Sequence, residues 1–124
     1  MKILTTFLIL ILVMPVIAAT DPKVAYALVK EGKAVMVDVR EKNEIQSGMI
    51  DRAIWFPKSK ITSDSNWKKD FEDVTHGKKI FLYCRSGKRS AECEEILRKN
   101  GIQSESIGGY EQLKTVLPLS LPSY

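Results

Sequence analysis

The stretch IFLYCRSGKRSAECEEILRKNG, Ile80–Gly101, changes its rule of construction halfway along. Ile80 to Tyr83 is an unbroken apolar run, which reads as a strand buried on both faces, as in a parallel sheet. From Ser90 to Asn100 the period lengthens: Cys93, Ile96 and Leu97 fall at i, i+3 and i+4, while Glu92, Glu95 and Lys99 share the other face. That pattern predicts an amphipathic helix, stopped by Gly101. The link between the two, Arg85 to Arg89, is short enough that it must curl, and curling turns successive backbone N–H groups inward to form an anion nest. The helix N-terminus adds its partial positive charge at the same place. Cys84 closes the strand at the mouth of this nest, with Arg85, Lys88 and Arg89 close behind it. A thiol so placed is expected to ionise more readily than an ordinary one. Cys93, on the apolar face of the helix, is expected to be a core thiol.

Working outward, Asp21 and Pro22 mark a helix start, Val24, Ala27 and Leu28 supply its apolar face, and Gly32 ends it. The run Ala34 to Val37, closing in Asp38, predicts a second buried strand. A short acidic helix, about Glu41 to Gln46, follows, then an apolar run from Ala53 to Phe56 that Pro57 terminates. Trp67, Phe71 and Val74 recur at helical spacing between Ser65 and Val74. A weakly patterned strand is placed near Ser104 to Ile107 because the alternation requires a partner there, and Gly108 and Gly109 turn the chain into a short helix around Glu111 to Thr115. The tail Pro118 to Tyr124 predicts an extended terminus without a motif. Strands alternating with helices imply an α/β domain, a four- to five-stranded parallel sheet with helices on both faces. In such sheets the binding crevice lies at the carboxyl ends of the strands, the edge that Asp38 and Cys84 share.

The 124 residues, 44% hydrophobic and 27% charged, suit one domain with a real core. Residues 1 to 19 are read separately: Lys2, an apolar stretch from Ile3 to Val16, and small residues at Ala18 and Ala19 have the layout of a signal peptide, with a new N-terminus expected at Ala19 or Thr20. The domain then occupies residues 20–124, exported to the periplasm of a bacterial host, with no stable membrane association after cleavage. An uncleaved anchor is the rival reading, disfavoured by Pro15 and the small residues. The formal charge of +4 is too small and too dispersed to argue for nucleic acid. One histidine and two cysteines make no metal-ligand pattern, and neither a metal nor an organic cofactor is expected. His76 reads as a surface turn residue, and Trp55 and Trp67 read as core.

Four segments together, VMVDVREKNEI (Val35–Ile45), GMIDRAIWFP (Gly48–Pro57), FLYCRSGKRSAE (Phe81–Glu92) and IGGY (Ile107–Tyr110), resemble the single-domain rhodaneses, the thiosulfate sulfurtransferases, over about Asp21 to Thr115. The C-R-S-G-x-R loop after a strand is the specific part, and D-V-R-E strengthens it. Members often carry G-H-I where this chain has Gly48, Met49 and Ile50. The resemblance implies that Cys84 accepts sulfur as a persulfide, that Arg85, Ser86, Gly87, Lys88 and Arg89 cradle it, and that Asp38 with Arg40 gives polar support nearby. It implies thiosulfate or a related small anion as donor and a small thiol or cyanide as acceptor. For Asp38, accepting hydrogen bonds from the active loop or pairing with an arginine is expected over proton transfer. Three alternatives stand beside this. A cysteine-dependent phosphatase or arsenate reductase is expected to have C-x5-R, whereas Arg89 gives C-x4-R. A noncatalytic binding module has no physical reason to keep an oxidisable thiol among cations. A thiol redox protein is expected to show a C-x-x-C, which is absent.

Overall fold

The two most apolar strands of the sequence lie side by side at the centre. In the computed structural model, which describes residues 19–122, Tyr124 and the isolated positions Ile3, Ile9 and Ile11, β1 (Ala34–Asp38) is buried along its whole length, and β4 (Lys79–Cys84) is buried except at Lys79. They pair in parallel from Ala34 opposite Lys79 to Asp38 opposite Tyr83, so their polar ends reach the same edge. β3 (Ile54–Trp55) and β5 (Glu105–Gly109) flank them, giving one parallel four-stranded sheet in the order β3-β1-β4-β5. This is the α/β fold that the alternation of elements predicts.

Successive side chains point to opposite faces of the sheet, and each face has its own core. Met36, Phe81 and Tyr83 pack with Ala25 and Tyr26 of α1 (Pro22–Lys30), Ile45 of α2 (Lys42–Ile45), and Tyr110 and Leu113 of α6 (Tyr110–Leu113). Val35, Val37, Ile80, Leu82 and Cys84 pack with Ile61 of α3 (Lys58–Ser63), Phe71 of α4 (Trp67–Thr75), and Cys93 and Leu97 of α5 (Lys88–Lys99). Each fully buried Leu or Phe contributes about 1.5–3 kcal/mol, so Phe81 and Leu82, both 0% exposed, tie β4 to both layers.

Several expectations are corrected. α1 buries Ala25 and Tyr26, with Leu28 packed against them, whereas Val24 is 54% exposed. On that buried face the Tyr26 hydroxyl donates to Asp51 at 2.6 Å. α3 was not visible in its polar sequence, KSKITS, which buries only Ile61. The tail is extended but paired: β6 (Leu119–Ser120) forms an antiparallel ribbon with β2 (Met49–Ile50). α5 begins at Lys88, two residues earlier than its apolar period shows, because a helix starts where its backbone turns and the first turn here carries polar side chains. His76 is an exposed turn residue that caps α4 in the left-handed conformation, as expected. The leader reading falls on residues 1 to 19, which apart from Ile3, Ile9, Ile11 and Ala19 lie outside the described residues. No described helix is long and apolar enough to cross a membrane.

Candidate active site

β4 ends in Cys84, and only Arg85, Ser86 and Gly87 separate it from α5. The link is therefore three residues, and Lys88 and Arg89 belong to the first helical turn. Gly87 makes the bend at φ 102°, a left-handed conformation that side chains rarely tolerate. This bend brings the Gly87 N–H to 3.0 Å from the Cys84 sulfur, to which it donates. On its other side the loop rests on β5. Cys84 is in register with Gly109, and a Cβ added at Gly109 would lie 2.3 Å from the Arg85 carbonyl oxygen and 2.8 Å from Ser86 Cα. Only a residue without a side chain lets the two strands of backbone come this close.

Cys84 is 0% exposed. Burial pushes its thiol up, but hydrogen bonding from the Ser90 side chain and from the N–H groups of Ser90, Gly87 and Ser86 more than offsets it, leaving the thiol below its ordinary value. Ser90 is itself 0% exposed, and its hydroxyl lies 3.1 Å from the Gly87 carbonyl and 2.7 Å from the Ser106 hydroxyl. The leading influences that lower the thiol are thus hydrogen-bond donors, in place of the three cations that the sequence brings to attention.

Those cations divide into two kinds. Arg85 and Lys88 are exposed, at the rim. Arg89 is half-buried and turned aside: its two terminal nitrogens donate to the Glu44 carboxylate of α2 at 2.6 and 2.5 Å. The Arg89 guanidinium holds the Glu44 carboxyl below the usual carboxylate range, and Glu44 in turn pushes Arg89 further up. A bidentate pair of this kind fixes geometry as well as charge. Arg89 therefore acts on the site as a strut between α2 and α5, with its positive charge still near the sulfur.

Asp38 and Arg40 form a buried pair, with side chains 0% and 3% exposed. Arg40 Nε donates to Asp38 at 3.0 Å and Nη2 donates at 2.7 Å, while Nη2 and Nη1 also reach the carbonyls of Gly48 at 2.7 Å and Glu44 at 3.3 Å. The guanidinium lies 4.0 Å from the centre of the Tyr110 ring. Of the two structural roles expected for Asp38, the arginine pairing is the one present; its partner is Arg40 and not the Cys84 loop. The pair fastens the end of β1 to α2, which presents Glu44 to Arg89. Beside it, burial pushes the Tyr83 hydroxyl well up, with the Asp38 carboxylate adding to the effect, and that hydroxyl accepts from the Ile50 N–H at 3.1 Å.

Cys93 sits in the core as expected, and burial pushes it up to about 12. Both cysteines are free. Among the described residues no group of three or more His, Cys, Asp or Glu side chains is placed to hold a metal ion. A cleft of about 960 Å³ lies around Lys79, Ile80, Gly101 and Ser104, at the start of β4, and so at the opposite end of the sheet from Cys84.

Sequence reasoning missed four residues here. Ser90 carried a signal, a hydroxyl residue just past the loop, where the first turn of the helix faces the sulfur. Gly109 carried one as half of a Gly-Gly pair. Glu44 and Ser106 carried none, because each meets its partner across the fold.

Comparison with known proteins agrees with this architecture. The profile of the rhodanese-like domain matches residues 21–115. A putative mitochondrial thiosulfate sulfurtransferase of Schizosaccharomyces pombe is 35% identical over 83 residues, covering 61% of this chain and 57% of that protein. The uncharacterized protein YqhL of Bacillus subtilis is 36% identical over 69 residues, 56% of this chain and 50% of its own length. The chain thus spans about half the length of the curated relatives it matches. Among solved structures, a rhodanese-related protein from Thermoplasma volcanium superposes with a TM-score of 0.66 at 24% identity, over 84% of this chain and 98% of that one.

Proposed function

The chain belongs to the rhodanese-like domain family, and on that premise we propose that it is a sulfurtransferase that carries sulfane sulfur from thiosulfate, or a related small anionic donor, to a thiol as a persulfide on Cys84. The observation that carries this is the Gly87 N–H at 3.0 Å from the Cys84 sulfur, in a three-residue loop that runs straight into the N-terminus of α5. A nest of donors there serves the thiolate first and the terminal sulfur anion of the persulfide next.

The exchange needs two displacements. The Cys84 thiolate attacks the outer sulfur of thiosulfate; the new S–S bond forms as the bond to the sulfonate group breaks, and sulfite leaves with the electron pair. The persulfide then bears the negative charge inside the loop. An acceptor thiolate attacks its terminal sulfur, takes that sulfur as its own persulfide, and releases the Cys84 thiolate. Arg85 and Lys88, exposed at the rim, draw the anionic donor inward. Arg89 contributes charge from its fixed position on Glu44.

The test is intact mass of the protein after incubation with thiosulfate, beside Cys84→Ser, followed by cyanide. One added sulfur on the wild type alone, discharged as thiocyanate, is the expected result. A reduced, folded protein that gains no sulfur overturns thiosulfate as donor.

We further propose that residues 1 to 19 direct export and are removed. The layout of Lys2, the apolar stretch and Ala18–Ala19 supports this. N-terminal sequencing of the exported protein is expected to begin at Ala19 or Thr20; an intact Met1 on membrane-bound protein overturns it.

A further inference from the structure

Tyr110 is the first residue of α6, and its ring joins two parts of the site that otherwise do not touch. On one side lies the buried pair at the end of β1. The Arg40 guanidinium, gripped by both oxygens of Asp38, stands 4.0 Å from the centre of the Tyr110 ring, and the Tyr83 ring stacks with 6.4 Å between centroids. Tyr110 is only 5% exposed, and cation–π contacts are strongest where water is excluded.

On the other side lies the Cys84 loop. The Glu111 N–H, next after Tyr110 in the first turn of α6, donates to the Arg85 carbonyl at 3.4 Å, and the same carbonyl is the group that crowds Gly109. The Arg85–Ser86 peptide is trans, so its C=O and N–H point in opposite directions. With the carbonyl turned toward α6, the Ser86 N–H is turned away from it, to join the Gly87 N–H that meets the Cys84 sulfur at 3.0 Å.

We propose that Tyr110 is a positioning residue for the sulfur chemistry: stacked on Arg40, it fixes the start of α6, which holds the Arg85 carbonyl and so aims the Ser86 N–H at the Cys84 sulfur. The inference deepens the sulfurtransferase reading, on which it rests for Cys84 being the reacting group, and it does not depend on which donor supplies the sulfur. It also gives the Asp38–Arg40 pair a second reach. Through α2 and the Glu44–Arg89 bridge the pair braces α5, and through Tyr110 it braces the loop from the β5 side.

The charged groups around Cys84 leave the effect readable. Arg85 and Lys88 stand at the rim, Arg89 of α5 is held by Glu44 of α2, Lys58 of α3 is paired to Glu92, and Cys93 lies in the same core layer. Glu105, at the far end of β5, is held by Thr20, and Glu94 of α5 accepts from the Ser106 N–H. Of the cations, Arg40 and Lys114 lie against the Tyr110 ring; Arg40 keeps Asp38 without it, and Lys114 keeps Glu111 at 3.0 Å.

The experiment is the pH profile of Cys84 alkylation by iodoacetamide, read by peptide mass on the folded protein and requiring no turnover, beside the rate of sulfur loading by thiosulfate. Tyr110→Leu removes the ring face and keeps an apolar side chain. It is expected to raise the alkylation midpoint by about half a unit, a roughly threefold loss of rate on the acid side, and to slow loading about tenfold with the far-ultraviolet spectrum kept. Tyr110→Phe, which keeps the face, is expected to match the wild type in both. Because Gly109 and Tyr110 act on one carbonyl, the losses in Gly109→Ala and Tyr110→Leu are expected to fall short of adding in the double variant. If Tyr110→Leu does not fold, Tyr110→Met takes its place. An unmoved midpoint in the variant without the ring, or a Tyr110→Phe that shifts as far, overturns the proposal. The two proposals fail separately: thiosulfate loading with an unmoved midpoint sinks only Tyr110, and a moved midpoint without loading sinks only the sulfur donor.

Discussion

Two cysteines lie within ten residues of each other, both 0% exposed and both packed into the same layer of the core; burial pushes both thiols up, yet they end on opposite sides of the ordinary value. Cys84 is brought below its ordinary value and Cys93 is pushed up to about 12. What differs is the backbone around each sulfur. Cys93 sits mid-helix, where neighbouring N–H groups are already bonded to carbonyls four residues back. Cys84 sits before a helix, where the first N–H groups have no such partner and are free to turn toward a sulfur. Reactivity in this fold is therefore a matter of where a helix begins.

The most severe test of that contrast is selective alkylation at neutral pH. With a value of about 12, Cys93 is ionised at pH 7 in only about one molecule in a hundred thousand. Cys84, with its value lowered, is expected to react at least about a thousandfold faster, as mapped by peptide mass. Comparable labelling of both would mean that local unfolding and not ionisation exposes them.

Next in size is the closeness of the loop to β5. Gly109→Ala places a carbon against the Arg85 carbonyl and Ser86 Cα, neither of which is a flexible side-chain tip, so the loop itself must shift. A displacement near 1 Å at a reacting group costs on the order of a hundredfold in rate, and persulfide formation is expected to fall by about that factor while the far-ultraviolet spectrum is kept. Full activity in Gly109→Ala would show that the loop position is not set by β5.

Glu44→Gln probes the strut. The carboxylate and guanidinium are 21% and 30% exposed, so solvent screens the pair in part, and its loss is expected to cost about 1 kcal/mol, a roughly fivefold slower loading by thiosulfate. Arg89→Lys is expected to behave alike, since an ammonium retains the charge and loses the fork. An undiminished rate in both variants would reduce the bridge to scaffolding.

These residues also mark how far sequence could be read. β1, β4 and the Cys84 loop were legible because local rules govern them: an apolar run, a change of period, a link too short for anything but a turn. Glu44 was not, since its partner Arg89 lies 45 positions away and either residue alone reads as one more charge on a polar helix face. The ribbon of β2 with β6 escaped for the same reason, two residues on each side being too short to show alternation. Arg89 was legible as a cation, yet its direction was fixed by Glu44, so position was read correctly and orientation was not.

The smallest effect on activity is expected at Cys93. Cys93→Ala leaves a small void in the layer between β4 and α5 and is expected to cost about 1 kcal/mol in urea unfolding, with sulfur loading unchanged. Its pH dependence carries the sharper information. A thiol raised in the folded state favours the fold fully below its unfolded value of about 8.5, and that contribution is lost as pH rises toward about 12. Wild-type stability is accordingly expected to decline across this alkaline window more steeply than that of Cys93→Ala. Cys84 works with the opposite sign: lowered in the folded state, its contribution is present above the unfolded value and is lost as pH falls through the folded one. Cys84→Ser should therefore flatten the curve on the acid side of about 8.5, where Cys93→Ala leaves it unchanged. Parallel curves for the two variants would mean that the sulfurs share one environment, and that the start of α5 does not separate them.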